Sequence, residues 1–180
     1  SVHFGDKAYQ SLNHYMNKEF CSKIFFLVDN NTREHCWPIL KNKMESSHAL
    51  EILEIRAGEK FKNLETCQQI WEQLSVLGAD RKSMIINLGG GVITDMGGFI
   101  ASCFKRGIRF INIPTTLLSM VDASVGAKTG IDRGVLKNQI GLFSNPEMVL
   151  IDPEYLKTLS DREMRSGLAE IIKYGYTFDK

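Results

Sequence analysis

Between Ser83 and Phe104 an apolar, β-favouring run (SMIINL) meets three consecutive glycines, and a helix signal follows at Gly98 to Phe104 (GFIASCF). Few other features restrict a fold as tightly. A glycine-rich turn from strand to helix sets backbone N–H groups at a helix N-terminus without side chains in the way, and such a turn can hold a pyrophosphate. Three glycines in a row exceed what an ordinary tight turn needs. The same pattern also serves a close crossing of helix over strand. The spacing Gly89-x-Gly91-x-x-Thr94 departs from the G-x-G-x-x-G fingerprint, and it does not lie in the first strand-helix unit of the chain. This segment alone leaves both readings open.

The flanking sequence alternates strand and helix signals. KIFFLV (Lys23 to Val28) reads as a strand followed by a loop at DNNT, whose Asp and Asn favour turns and helix N-caps. LEILEI (Leu50 to Ile55) alternates. Between Asn63 and Leu77, apolar residues at Leu64, Cys67, Ile70, Trp71, Leu74 and Leu77 fall on one helical face, and Gly78 stops the helix. IRFINI (Ile108 to Ile113) is a strand ended by Pro114. After MVLID (Met148 to Asp152) the pattern turns helical, with Ser160-Asp161 and Glu163 capping a helix over Asp161 to Tyr176. No element is assigned before Lys23. The alternation predicts an α/β domain with a mostly parallel, Rossmann-like sheet over residues 1–159. A boundary falls near Thr158 to Ser160, and residues 160–180 begin an all-helical domain.

Composition narrows the partners. The chain has 180 residues, 43% hydrophobic and 24% charged, with a formal net charge of +1, enough to bury a core and too balanced to favour nucleic acid or an anionic membrane. Any anion site must be local. Cys21, Cys36, Cys67 and Cys103 are widely spaced, with no C-x-x-C pair, and read as reduced core thiols in a cytoplasm. No apolar run approaches the roughly 20 residues that span a bilayer.

Cations and hydroxyls gather after the second half of the strands. Ile113 to Asp132 (IPTTLLSMVDASVGAKTGID) carries hydroxyls, an acid and Lys128 where open α/β sheets bind ligands, and its other reading is solvated loop. KNQIG (Lys137 to Gly141) adds a cation and an amide. FKRGIRF (Phe104 to Phe110) adds Lys105, Arg106 and Arg109, whose forked guanidinium groups suit phosphate. Taken singly these are surface charges. With the glycines they point to a phosphorylated substrate and a dinucleotide.

From Ala57 to Gly175, in order, the motifs GGGVITDMGGFIASCFKRGIRFINIPTTLLSMVDASVGAKTGID, LKNQIG, LIDPEYLKTL and RSGLAEIIKYG resemble the 3-dehydroquinate synthase family. Before Ala57 only VDNN matches. The resemblance implies a homodimeric cyclase of the shikimate pathway. It would convert 3-deoxy-arabino-heptulosonate 7-phosphate to 3-dehydroquinate and phosphate, with NAD+ returned unconsumed and a divalent Zn2+ or Co2+ bound. It implies that Gly90, Gly91 and Val92 cradle the cofactor, with Asp95, Thr115, Thr116 and Leu118 lining the same cleft. Asp29 and Asn31 would face the adenosine half, which Glu59 and Lys62 of AGEKFK would contact and over which Tyr155, Thr158 and Leu159 would close. Asp122, Lys128, Asn138 and Lys173 would meet the substrate, and Lys137 would stand between substrate and cofactor. Arg106 would reach a neighbouring subunit's site, and Glu170 would ligate the metal. Read without the resemblance, Glu170 and Lys173, three apart on a helix, are an ordinary surface ion pair.

Three departures from the family pattern matter. Ala123 and Ala127 stand where serine and glycine are usual, RGVLKN replaces the commoner PLGKN around Leu136, and the two metal-binding histidines of the helical domain have no counterpart. His3, His14, His35 and His48 all precede the glycine loop. One carboxylate does not make a catalytic zinc site, which takes three protein ligands. The chain therefore reads as an N-terminal portion of the enzyme, inactive alone. A related valiolone or inosose synthase, or a non-catalytic nucleotide-binding module, are the competing readings.

Overall fold

A computed structural model describes residues 1–18, 21–45, 50–124 and 126–178. Six strands form one sheet: β1 (Val2–Phe4), β2 (Ile24–Asp29), β3 (Leu50–Ile55), β4 (Met84–Gly89), β5 (Arg109–Pro114) and, after a separate hairpin of β6 (Lys128–Arg133) and β7 (Leu136–Phe143), β8 (Met148–Ile151). The spatial order is β1-β8-β5-β4-β2-β3, and every pairing in this sheet is parallel.

Parallel strands covered on both faces read as unbroken apolar runs, which is why FFLV and MII carry no polar alternation. In β2, Ile24, Phe26 and Val28 enter one core while Phe25 and Leu27 enter the other, the period-two alternation of a pleated strand. The first core is closed by α1 (Asp6–Lys18) and, after the short α2 (Asn30–His35), by α3 (Trp37–Lys43), through Ala8, Tyr9, Leu12, Met16, Trp37 and Leu40. The second is closed by α4 (Leu64–Val76) and α5 (Gly91–Cys103), through Cys67, Ile70, Leu74, Ile93, Met96 and Ile100. Burial raises the Cys67 thiol to about 12, so it behaves as a core hydrophobe.

Several expectations are corrected. The loop after β2 is two short helices. Asp29 is the N-cap of α2 in a reciprocal capping box with Thr32, and Pro38 opens α3. The helix predicted from Gly98 begins at Gly91. Gly97 and Gly98 lie inside it because of close contacts: a Cβ at Gly97 would collide with the buried Asn87 amide, and one at Gly98 with Thr129. The stretch after Lys128, to which no strand was assigned, is the antiparallel β6-β7 hairpin docked on α5. Gly130 and Gly141 face each other across it, each too close to the opposite backbone for a side chain. The mostly parallel sheet is as expected: its six strands pair in parallel throughout, and the antiparallel β6-β7 pair is separate from it.

β2 connects onward to β3 on one side, while its neighbour β4 connects to β5 on the other. The connections therefore diverge at the carboxyl ends of β2 and β4, where open α/β sheets form a crevice. α6 (Asp161–Phe178) leaves the sheet and lies against a π-helical turn, Ser119–Ala123. Gly167 permits that approach, since a Cβ there would lie 2.5 Å from Leu117 Cβ.

Candidate cofactor and substrate site

The crevice between β2 and β4 is lined from the backbone outward. Asp29 ends β2 and the glycine loop ends β4. Gly90 is the N-cap of α5, and no side chain caps that helix. The first intrahelical bond is made by the Thr94 N–H to the Gly90 carbonyl at 3.0 Å. The N–H groups of Gly91, Val92 and Ile93 therefore have no partner within the helix, a ready anion site. A Cβ at Gly90 would lie 2.9 Å from Thr116 Cγ2, whereas one at Gly91 would meet only Ala123 Cβ at 3.5 Å. Both glycines are half-buried. A glycine-lined, uncapped helix N-terminus at the divergence point fits a dinucleotide pyrophosphate.

The far wall is the turn after β5. The Thr115 N–H donates to the Gly89 carbonyl at 3.0 Å, tying this turn to the glycine loop. Thr116 and Ser119 cap the following turn reciprocally, and Leu118 follows half-buried. Cys36, missed in the sequence, bridges this region. Its thiol, raised chiefly by burial, faces Thr158, Thr115 and the Asp29 carboxylate, with Thr158 Oγ1 at 3.6 Å. Thr158 and Thr115 thus hydrogen-bond one buried sulfur, on which the Asp29 carboxylate also acts through its charge. Asn31 is exposed on α2, its amide oxygen accepting from Asn30, and Leu159 is half-buried beyond Thr158.

Two expected contacts differ in kind. Tyr155 is fully buried, and its hydroxyl lies 3.1 Å from that of Tyr9. Its ring belongs to the core rather than to an open cleft. The Lys62 side chain is 4% exposed and its ammonium is already engaged, by Asp95 Oδ2 at 2.6 Å and Asn138 Oδ1 at 2.7 Å. It holds protein groups where an adenosine contact was expected. Burial raises the Asp95 carboxyl, and the Lys62 ammonium opposes the rise. Glu59 and Lys137 form an exposed pair at 3.3 Å beside this cluster.

The third group lies where α6 crosses the π-helical turn. The Tyr174 hydroxyl donates to Asp122 Oδ1 at 2.9 Å, and Lys173 Nζ meets Glu170 Oε1 at 2.5 Å. The hydrogen bond to Asp122 raises the Tyr174 phenol, and that to Glu170 raises Lys173. Tyr174 was missed, although it stands four residues after Glu170 and so shares its helix face. Asp122 adds to the negative field at Asp95. Lys128 opens β6, exposed. Arg106 is elsewhere: it follows α5, exposed, with a φ of +70°. The 13 residues of α5 separate it from the glycine loop, about 20 Å at the helical rise.

The donor set does not amount to a metal centre. Among the described residues no group of three His, Cys, Asp or Glu could hold an ion, and Glu170 is paired with Lys173.

A parallel sheet with a glycine-lined helix start at its divergence point is a Rossmann-like α/β fold. Residues 52–166 match the family model described as 3-dehydroquinate synthase N-terminal. The chain is 50% identical over 153 residues to 3-dehydroquinate synthase of Parabacteroides distasonis, covering 85% of this chain and 43% of that protein. Two solved structures resemble it over 96% of this chain and 48% of theirs. One is 2-deoxy-scyllo-inosose synthase complexed with carbaglucose-6-phosphate, NAD+ and Co2+ (TM-score 0.87, 26% identity). The other is 2-epi-5-epi-valiolone synthase from Streptomyces hygroscopicus with NAD+ and Zn2+ bound (TM-score 0.81, 31% identity). The chain belongs to the 3-dehydroquinate synthase family and spans less than half the length of these relatives.

Proposed function

We propose that this chain is the nucleotide-binding part of a 3-dehydroquinate synthase, which converts 3-deoxy-arabino-heptulosonate 7-phosphate to 3-dehydroquinate and phosphate with catalytic NAD+. The uncapped, glycine-lined start of α5 carries the reading. NAD+ supplies reversible oxidation of one substrate hydroxyl, which acidifies the neighbouring C–H so that phosphate can leave. The chain's own residues bind and orient. The N–H groups of Gly91 and Val92 hold the pyrophosphate after Gly90. Asp29 and Asn31 face the adenosine half, Thr115, Thr116 and Leu118 form the opposite wall, and Thr158 and Leu159 border it. Asp122, Lys128, Asn138 and Lys173 address the substrate, with Asp122 kept in place by the Tyr174 hydroxyl. Holding one conformer of a flexible sugar acid against fixed charges is where such a protein contributes most.

Glu170 joins a divalent-metal ligand set in this reading. By itself it is no site, and no step is derived through the metal. Arg106 points to a homodimer: standing about 20 Å from its own glycine loop by helix length, it serves a neighbour's substrate phosphate. α6 begins a helical domain. A reducing cytoplasm fits the four free thiols, and no helix of the described residues is long and apolar enough to cross a membrane.

The likeness to the inosose synthase gives a second reading, a sister cyclase on the same scaffold. Product analysis separates them. The whole protein, given NAD+, a divalent metal and the heptulosonate phosphate, is expected to release phosphate and dehydroquinate in equal amounts. Turnover of glucose 6-phosphate with none of the heptulosonate would assign the sister activity instead.

A further inference from the structure

Asn138 sits on β7 with a φ of +51°, in the left-handed region. Asparagine visits that region more readily than most residues, yet the conformation persists only where its surroundings impose it. Two groups impose it. Its backbone N–H donates to Asp132 Oδ1 at 2.7 Å, and its side-chain Oδ1 accepts from Lys62 Nζ at 2.7 Å. Asp132 is the one β6 residue at the register shift between Ile131 and Arg133, and the three residues from Lys137 to Gln139 oppose it, so Asn138 lies in the bulged stretch of β7. Such a stretch drops out of the ladder and its residues can be re-aimed. Opposite it, the Asp132 N–H leaves the hairpin and donates to the Lys62 carbonyl at 2.8 Å. Lys62 therefore grips the hairpin at both ends, by its carbonyl on Asp132 and by its ammonium on Asn138, while Asp95 on α5 fixes the ammonium at 2.6 Å.

We propose that Lys62 and Asp132 are positioning residues that set Asn138 for the substrate, linking it through Asp95 to the helix that carries the cofactor loop. The inference rests on the proposed cyclase reading. With Oδ1 committed to Lys62, the amide nitrogen is the end of Asn138 left to donate to substrate oxygens. Neither Lys62 nor Asp132 needs to touch the ligand. Losing either frees a left-handed asparagine on an exposed strand, so the cost falls on substrate binding rather than on the nucleotide.

The test uses the whole protein with Asp132→Ala, Asp132→Asn and Lys62→Met. Lys62→Met leaves the buried Asp95 unpaired and can unfold the chain, so the Asp132 pair decides. Asp132→Ala should raise KM for the heptulosonate phosphate roughly tenfold, the loss of one charge-assisted hydrogen bond. Its NAD+ affinity should stay within about twofold, because the glycine loop is untouched. Asp132→Asn keeps an oxygen that can accept from Asn138 and should recover most of the loss. In an Asn138→Ala background, Asp132→Ala should add almost nothing. Hydrogen exchange at the Asn138 amide should quicken in Asp132→Ala without any ligand. Wild-type KM and unchanged exchange in Asp132→Ala, or an effect additive with Asn138→Ala, would overturn the positioning role. A wild-type protein that turns over no heptulosonate phosphate would instead overturn the reading beneath it.

Discussion

Ala127 holds a φ of +56° immediately before Lys128, a conformation that costs a residue bearing Cβ about 1–2 kcal/mol. Family resemblance leads one to expect glycine here, and the backbone supplies the reason. Ala127→Gly should raise stability by about 0.5–1 kcal/mol, less than the strain relieved because glycine also loosens the unfolded chain. The urea midpoint of the two proteins checks it, and a lower midpoint for glycine would show that the alanine is unstrained. Other residues were less legible. Lys62 is one of many lysines in the sequence. Nothing local marks it as buried, since its burial depends on Asp95 and Asn138, which lie 33 and 76 positions away. Tyr174 could have been found from helical spacing alone; Cys36 and Asp132 could not.

Among the elements, those with long-range cover were the readable ones. β2, β4, β5 and β8 are apolar runs because both faces are buried, and α4 shows its buried face at helical spacing. α2 and α3, at six and seven residues, are too short to display a period. β7 is exposed along nearly its whole length, so it lacks the alternation of a half-buried strand. α1 hides among polar residues and is anchored by a tertiary network. Tyr9 donates to Asp152 Oδ2 at 2.7 Å, and Lys43 reaches Asp152 at 2.9 Å and Glu154 at 2.5 Å. Burial, the largest influence on the Asp152 carboxyl, would raise it. Hydrogen bonds from Lys43, the Glu154 N–H and Tyr9 outweigh that and hold it below its ordinary value. A carboxyl with a lowered folded-state pKa stabilises above its unfolded value near 4 and loses that contribution as pH falls through the folded one. Asp152→Asn should therefore be less stable than wild type at pH 7, with the gap in melting temperature closing below about pH 4. A gap that stays constant with pH would mean that the charge of Asp152 is not what holds α1 and α3 to β8.

At the scale of the whole molecule, α5 joins two proposed roles: its first turn is the proposed nucleotide site and its last residues lead to Arg106, at opposite ends of one helix. If Arg106 serves a partner's site, whole protein carrying Arg106→Ala, inactive alone, should regain activity when mixed with Lys128→Ala protein. One site of the mixed dimer then keeps both residues. No recovery in a proven heterodimer would return Arg106 to its own subunit. The most direct measurement concerns the other end of α5. Valine at Gly90 would press on Thr116, but at Gly91 the new Cβ meets only Ala123 at an ordinary 3.5 Å, so Gly91→Val changes the approach to the N–H groups with little cost to the fold. NAD+ titrated into wild type and Gly91→Val, with melting temperatures matched, should show at least roughly a hundredfold loss of affinity in the variant, as expected when a bulky side chain blocks a backbone anion site. Equal affinity would contradict the assignment of this helix start as the nucleotide site.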